Sequence, residues 1–429
     1  MPYPSPPRSA YLHIPFCHRR CYYCDFAVVP LGDRAHANGG PGSASIRDYL
    51  TLLHREIAVA PWGPPLATVY IGGGTPSLLT AAQIQALLEA LQNRFGLQQG
   101  AEITLEMDPA SFDRRQLVAV LKAGVNRISL GGQSFDDAVL AGLGRRHRRA
   151  DLLEACRWMR EALRQGELRS WSLDLIQNLP GQTRRSWEHQ LAQAIAMEAP
   201  HLSVYDLSVE PGTVFDRRQQ RGELDLPDQE LAAELMTLTS QRLGAAGLSR
   251  YEISNHARPG HASRHNRVYW SGAGWWGFGM GATSAPWGER HARPRTRETY
   301  RLWLEQASNA AVPASGDTVS RDSVLWPDAG IPLDDLLLVG LRRREGVDLE
   351  ALGCPSPDDL LKRWQPFIAE GLLLGEAGRW RLSDPAGMAL SNRVLVEVLL
   401  WWEALSDVDR APSPAGLPRT AAAPAAERG

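Results

Sequence analysis

From Ser9 to about Val209, short apolar runs alternate with amphipathic stretches, and this alternation most constrains the fold. Each apolar run is the length of a buried strand and each amphipathic stretch the length of a helix, the pattern of repeated βα units around a parallel sheet. The expected strands are Ala10–His13, Thr68–Ile71, Glu102–Glu106, Asn126–Leu130, Trp171–Ile176 and Leu202–Leu207. Between them, Ile46, Tyr49, Leu50, Leu53 and Ile57 share one helical face, and Thr80-Ala81-Ala82-Gln83 reads as a capping box. Six units predict a partial barrel rather than a closed eight-stranded one. Ligands in such folds gather at the carboxyl ends of the strands, so the loops after these strands are the candidate site.

The loop after the first strand carries Cys17, Cys21 and Cys24 in a C-x3-C-x2-C spacing. A structural zinc wants four ligands, and a cluster held entirely by protein wants four thiolates. Three thiolates on one loop would hold three irons of a [4Fe–4S] cube and leave the fourth open to a ligand. The alternative at this point is a zinc site that borrows His13 or His18 as its fourth ligand. Either needs reduced thiols, and five cysteines in 429 residues do not make a disulfide framework. Cys156 and Cys354 read as packing residues.

Composition narrows the surroundings. A formal net charge of -2 gives no general field toward nucleic acid or an acidic membrane, and the run Arg145–Arg149 reads mainly as solvated surface. No apolar stretch reaches the roughly 20 residues of a membrane span, and Met1–Ala10 lacks a signal-peptide core, so a cytoplasmic protein is expected. Tryptophans gather at Trp270, Trp275, Trp276 and Trp287, as core or as the wall of a flat aromatic ligand's site. Domain boundaries are expected at 1–226 for the barrel, 227–307 for an extension with the Gly- and Trp-rich segment, and 308–406 for a C-terminal helical module with a small β wing. The Ala-, Pro- and Arg-rich residues 407–429 are expected to be disordered. Gly32–Ser45 reads as a surface insertion without structure of its own.

Other polar residues stand at successive strand ends. Gly72-Gly73-Gly74-Thr75-Pro76 follows the second strand, where residues without Cβ let a ligand approach the backbone, although a tight turn explains the run equally well. Glu106 ends the third strand, Gln133 follows the fourth, and Asp174 lies on the fifth. Carboxylates there can accept hydrogen bonds from ribose hydroxyls or an amine, and Arg145 offers a fork of donors to a carboxylate.

The cysteine loop, with Tyr23 before its third cysteine, resembles the radical S-adenosylmethionine (SAM) superfamily. Over about Ser9 to Trp402 the chain resembles the anaerobic coproporphyrinogen III oxidase family within it. That likeness rests on Tyr11–Cys17, Gly72–Pro76, Leu143–His147, Leu179–Thr183, Glu210–Thr213 and Gly340–Gly346. It implies a radical SAM partial (β/α)6 TIM-like barrel with a C-terminal winged-helix-like domain. It also implies a [4Fe–4S] cluster on Cys17, Cys21 and Cys24 whose open iron chelates SAM, an electron donor for that cluster, and SAM contacts from Tyr11, Tyr23, Gly74, Thr75, Glu106, Gln133, Arg145 and Asp174. The family holds both oxidative decarboxylases and heme chaperones. Decarboxylases carry a fourth cysteine two residues after the third, where this chain has Phe26 after Cys24-Asp25, as chaperones do. His265-Asn266-Arg267-Val268-Tyr269-Trp270 matches the HNxxYW motif that the chaperone branch associates with heme. The resemblance therefore implies heme as a third ligand, with His265 toward its iron, and a heme-accepting apoprotein such as a respiratory enzyme as partner. Asn178 and Gly132 depart from the family's usual glycine and valine. Three functions stand open here: a heme carrier, a radical enzyme acting on coproporphyrinogen or another substrate, and a protein whose cluster is structural or regulatory.

Overall fold

The structure, a computed structural model, describes residues 6–32, 41–286, 288–310 and 331–405. Its centre is a nine-stranded sheet. In chain order the strands are β1 (Ser9–Ile14), β2 (Leu66–Gly73), β3 (Leu97–Met107), β4 (Arg127–Gln133), β5 (Ser170–Gln177), β6 (His201–Asp206), β7 (Ser249–Arg250), β8 (Asn255–Ala257) and β9 (Trp276–Phe278). Their spatial order is β9-β1-β2-β3-β4-β5-β6-β8-β7. The run from β9 to β6 is parallel, while β8 and β7 close that edge antiparallel.

The six strands expected from sequence are β1 to β6: β1, β2, β3 and β5 extend past the expected bounds at both ends, β4 starts one residue later and ends three later, and β6 is shifted one residue back. The seventh parallel strand, Trp276–Phe278, is a correction: its three residues pair with Ala10, Tyr11 and Leu12 of β1. So short a strand carries no readable period, and its flanking glycines read as loop. Trp276 packs on Phe95 at 5.8 Å between ring centroids and is core. Trp287 lies outside the described residues.

Helices cover the sheet's outer face. In α1 (Pro41–Val59), Ile46, Tyr49, Leu50, Leu53 and Ile57 are all buried, as their spacing requires. The helix begins at Pro41, so residues 41–45 are helical and not part of a structureless insertion; residues 33–40 lie outside the described set. In α2 (Ala81–Arg94) the capping box forms as read, with the Thr80 side chain accepting from Gln83 N and the Gln83 side chain accepting from Thr80 N. Such a cap contributes about 1 kcal/mol.

A second apolar cluster holds Leu337, Leu360, Trp364, Leu382, Val394 and Trp401, with Met236 reaching in from the barrel side. Its framework is a three-stranded antiparallel sheet of Val347–Asp348, Arg379–Leu382 and Leu373–Glu376, flanked by helices Leu333–Gly340, Pro357–Ala369 and Ser391–Ala404. Three helices against this small sheet give a helical module with a β wing. The tail expected to be disordered lies outside the described residues.

Candidate functional site: a cysteine loop over the barrel mouth

A cavity of about 370 Å³ opens at the carboxyl ends of the strands. Cys17, Cys21 and Cys24 line one side of it. The loop that carries them is fastened by Tyr22 N donating to Leu143 O at 3.0 Å and Phe215 N to Tyr22 O at 3.0 Å. Burial pushes the Cys17 thiol up to about 12, and it raises Cys24 as well. Thiols so placed stay protonated until a metal displaces the proton, which couples cluster binding to proton release. Among the described residues no three His, Cys, Asp or Glu side chains converge tightly enough to hold a single cation. Three thiols lining one cavity are a donor set that fits three irons of a cube. His13 spends Nδ1 on the Tyr11 hydroxyl at 3.0 Å and Nε2 on the Ala27 carbonyl at 2.9 Å, so it has no nitrogen left to complete a zinc site.

The glycine run crosses directly beneath this loop. A Cβ on Gly74 would stand 2.7 Å from Phe16 O and 2.8 Å from Cys17 Sγ, so only glycine allows the approach. Gly73 N donates to Glu106 Oε2 at 2.9 Å, and Tyr70 donates its hydroxyl to Glu106 Oε1 at 2.8 Å. Burial raises Glu106 to about 7; both hydrogen bonds oppose that shift, and nearby Asp174 adds to it.

Across the cavity, Asp174 Oδ2 accepts from Ser129 Oγ at 2.7 Å while its Oδ1 is buried without a partner. A buried orphan oxygen on a cavity wall is a seat for a ligand donor. Gln133 lines the same wall from a left-handed backbone, φ 62°. Gly132, where the family favours valine, is tight for a different reason, since its Cβ would fall 2.7 Å from Leu173 Cδ1.

Arg145 is not solvated surface, contrary to the reading of the basic run as a whole. Its side chain is 12% exposed and its Nη2 donates to Asp108 Oδ2 at 2.6 Å and Gly131 O at 2.9 Å, while Nη1 points at Cys21 Sγ at 3.7 Å. This guanidinium holds Asp108 well below the usual carboxylate range despite the burial that opposes it. His147, fully buried, bonds Gly132 O through Nε2 at 3.0 Å. Arg146, Arg148 and Arg149 are exposed. The chain alternates inward and outward there, which a count of charges does not reveal.

Of the expected SAM contacts, Tyr23, Gly74, Thr75, Glu106, Gln133, Arg145 and Asp174 all line the cavity. Tyr11 stands behind it, its hydroxyl on His13 and its ring 6.1 Å from Tyr70. His265 is farther off, fully buried in the first turn of the helix Arg264–Ser271. Its Nδ1 bonds Thr68 Oγ1 and its Nε2 the Tyr269 hydroxyl, each at 2.8 Å, and burial lowers the imidazole to about 3. It is neutral, as an iron ligand must be, with both nitrogens already engaged. Tyr70, Asp108, Tyr205 and Asp206 also line the cavity and were missed. Tyr70 had a usable signal: it lies two residues before Gly72 on one strand and so shares its face.

A parallel partial barrel with three thiols and a glycine cradle at its mouth is the architecture of a radical SAM protein, and residues 11–192 match the Radical SAM superfamily. The chain is 39% identical over 412 residues to the heme chaperone HemW of Synechocystis sp., covering 91% of this chain and 95% of that one. It is 36% identical to the mouse mitochondrial radical S-adenosyl methionine domain-containing protein 1, with 92% and 89% covered. The solved structure of Escherichia coli coproporphyrinogen III oxidase HemN superposes with a TM-score of 0.72 at 22% identity, over 92% of this chain and 91% of that one. The chain belongs to the HemW family of the radical SAM superfamily. Membership brings with it a [4Fe–4S] cluster and SAM.

Proposed function

We propose that this chain is a heme carrier that holds heme for transfer to an acceptor apoprotein and binds SAM on its cluster. The observation that carries the reading is its 39% identity along nearly all of a relative named heme chaperone. The loop supports it: where decarboxylases have a fourth cysteine, Phe26 stands 52% exposed at the cavity rim. The oxidase alternative rests on the likeness to HemN, which at 22% identity shows the fold alone.

Cys17, Cys21 and Cys24 would hold three irons of the cluster, which when reduced by an electron donor supplies an electron to a SAM sulfonium. Glu106 is placed to accept from SAM's amine and Asp174 Oδ1 from a ligand hydroxyl or amine, while Gly74 and Thr75 offer backbone at close range. Tyr23 would bound the ligand beside the loop, and Gln133 closes the opposite wall. Arg145, turned toward Asp108, would keep a positive charge beside a bound carboxylate. Tyr11 acts through Tyr70 and His13 instead of by contact. Heme ligation would fall to His265 Nε2 once the Tyr269 hydroxyl releases it, with Tyr269 and Trp270 packing on the porphyrin. Three reduced thiols suit the cytoplasm, and among the described residues no helix is long and apolar enough to cross a membrane.

Because the N–H of an iron-bound amine is accepted more strongly by ionised than by protonated Glu106, SAM affinity is expected to fall as pH drops through about 7. The limiting slope is about tenfold per pH unit. Equilibrium dialysis of SAM against pH checks this, and Glu106→Gln should bind weakly at every pH with no such slope. The function is tested by offering the cluster-reconstituted protein coproporphyrinogen III, SAM and reductant, and separately by loading it with heme beside an apo-hemoprotein. The carrier reading expects heme transfer and no carbon dioxide, and SAM-dependent release of carbon dioxide would replace it with the oxidase.

A further inference from the structure

Thr68 and Tyr70 sit two residues apart on β2, and both face the barrel interior. Thr68 holds His265 Nδ1 at 2.8 Å, and the Tyr70 ring lies over the same imidazole, centroids 5.2 Å apart at 28°. The Tyr70 hydroxyl reaches the other way, to Glu106 Oε1 at 2.8 Å on the cavity wall. One side chain therefore touches both the carboxylate of the SAM cavity and the histidine of the HNxxYW motif.

The helix carrying His265 is itself a joint between parts of the molecule. Its start is fastened to Glu102 of β3, which accepts from Ser263 Oγ, Arg264 N and His265 N. Farther along, Arg267 pairs with Glu345 near the start of the C-terminal wing. For His265 Nε2 to meet a heme iron, it must leave the Tyr269 hydroxyl and slide from beneath Tyr70. Tyr70 cannot yield while its hydroxyl is fixed to a Glu106 that is itself fixed by a ligand.

We propose, resting on the heme-carrier reading, that Tyr70 couples the two sites: ligand at Glu106 pins Tyr70 over His265 and weakens heme binding at the HNxxYW helix. The two arrangements are Tyr70 pinned with His265 covered, and Tyr70 released with His265 free. A ligand shifts this balance only through its preference for one arrangement. By linkage, heme weakens ligand binding at Glu106 by the same factor. This separates loading from release without a new site: a molecule with SAM in its cavity holds heme loosely.

The test is an anaerobic hemin titration of the cluster-reconstituted protein, cluster oxidised and no reductant present, with and without saturating SAM. It is run on wild type and on Tyr70→Phe, which keeps the stacked ring and loses only the hydroxyl. SAM is expected to raise the wild-type heme Kd about fivefold or more, at the low end of ordinary allosteric coupling. In Tyr70→Phe the ratio should fall below about two while SAM still binds, since Gly73 N keeps its hold on Glu106. A wild-type heme Kd indifferent to SAM, or an undiminished ratio in Tyr70→Phe, overturns the coupling and leaves the heme reading intact. Loss of SAM binding in Tyr70→Phe also overturns it, because the Tyr70 hydroxyl would then serve to hold SAM and not to link the two sites. No saturable heme binding to wild type overturns both the coupling and the carrier.

Discussion

Cys21→Ala is expected to leave a folded protein that holds no [4Fe–4S] cluster. Cys21 is half-buried on a loop outside the barrel core, in contact with the Arg145 guanidinium and no apolar cluster. Its removal leaves no cavity in the core, so the cost to folding should be small, on the scale of an ordinary surface change of about 0.5 kcal/mol. The cost to the cluster is expected to be total, because on the proposed assignment three thiolates are the whole protein ligand set, and His13 has both nitrogens bonded. Iron and acid-labile sulfide after anaerobic reconstitution, read beside far-UV circular dichroism, check both halves. Cys156→Ala is the control, since that thiol is buried in the helix Arg149–Arg164 among Leu152, Ala155 and Met159 and should keep a full cluster. Stoichiometric zinc in wild type, with no iron taken up, would contradict the assignment.

Arg145→Ala should be the most damaging single change to the cavity itself. It takes from Asp108, on the cavity wall, the guanidinium that does most to depress its pKa, and leaves it the Ala110 amide and His147 as partners. Breaking a fully buried pair from one side costs about 3–5 kcal/mol, and the cost here should lie below that range because Asp108 is 21% exposed to the cavity. Urea unfolding of the cluster-free protein measures it. The sign of the pH dependence distinguishes this cause from lost packing. The wild-type stabilisation by Asp108 is present above the ordinary carboxylate pKa and is lost only as pH falls through its depressed folded value. In the variant the carboxyl, without its guanidinium, protonates at higher pH than in wild type, so the deficit between the two proteins should narrow steadily in acid. A deficit independent of pH would mean the side chain matters only for its bulk. Asp108→Asn with Arg145→Ala should recover part of the loss, since the buried negative charge is then gone.

Much of this site lay open in the sequence, for a physical reason. Parallel strands buried on both faces must be nearly continuous apolar runs, so β1 to β6 stood out, and ligands of such sheets gather at their carboxyl ends. The Thr80–Gln83 cap is equally local and formed as read. What was hidden depends on tertiary placement. Trp276–Phe278 becomes a strand only because β1 offers it an edge. Asp108, two residues after Glu106, gives no signal of its own, because nothing in Leu105–Pro109 tells that Arg145 will meet it from 37 residues away. Asn178 adopts φ 61°, which asparagine tolerates better than most residues, so its departure from glycine leaves the turn intact. His265 is the sharpest case. The HNxxYW spelling marks the residue, while the fold adds that Thr68 and Tyr269 occupy both its nitrogens in this state.

On the proposed reading, that arrangement makes heme binding a conformational event at one helix. The most direct measurement is an anaerobic heme titration of the cluster-reconstituted protein by absorbance, wild type against His265→Ala, with cluster content confirmed in both. The account predicts a saturable one-to-one Soret band in wild type that His265→Ala loses while keeping its cluster. The same weak, unsaturable response in both proteins would contradict it, leaving His265 as the packing residue of a radical SAM protein with another task.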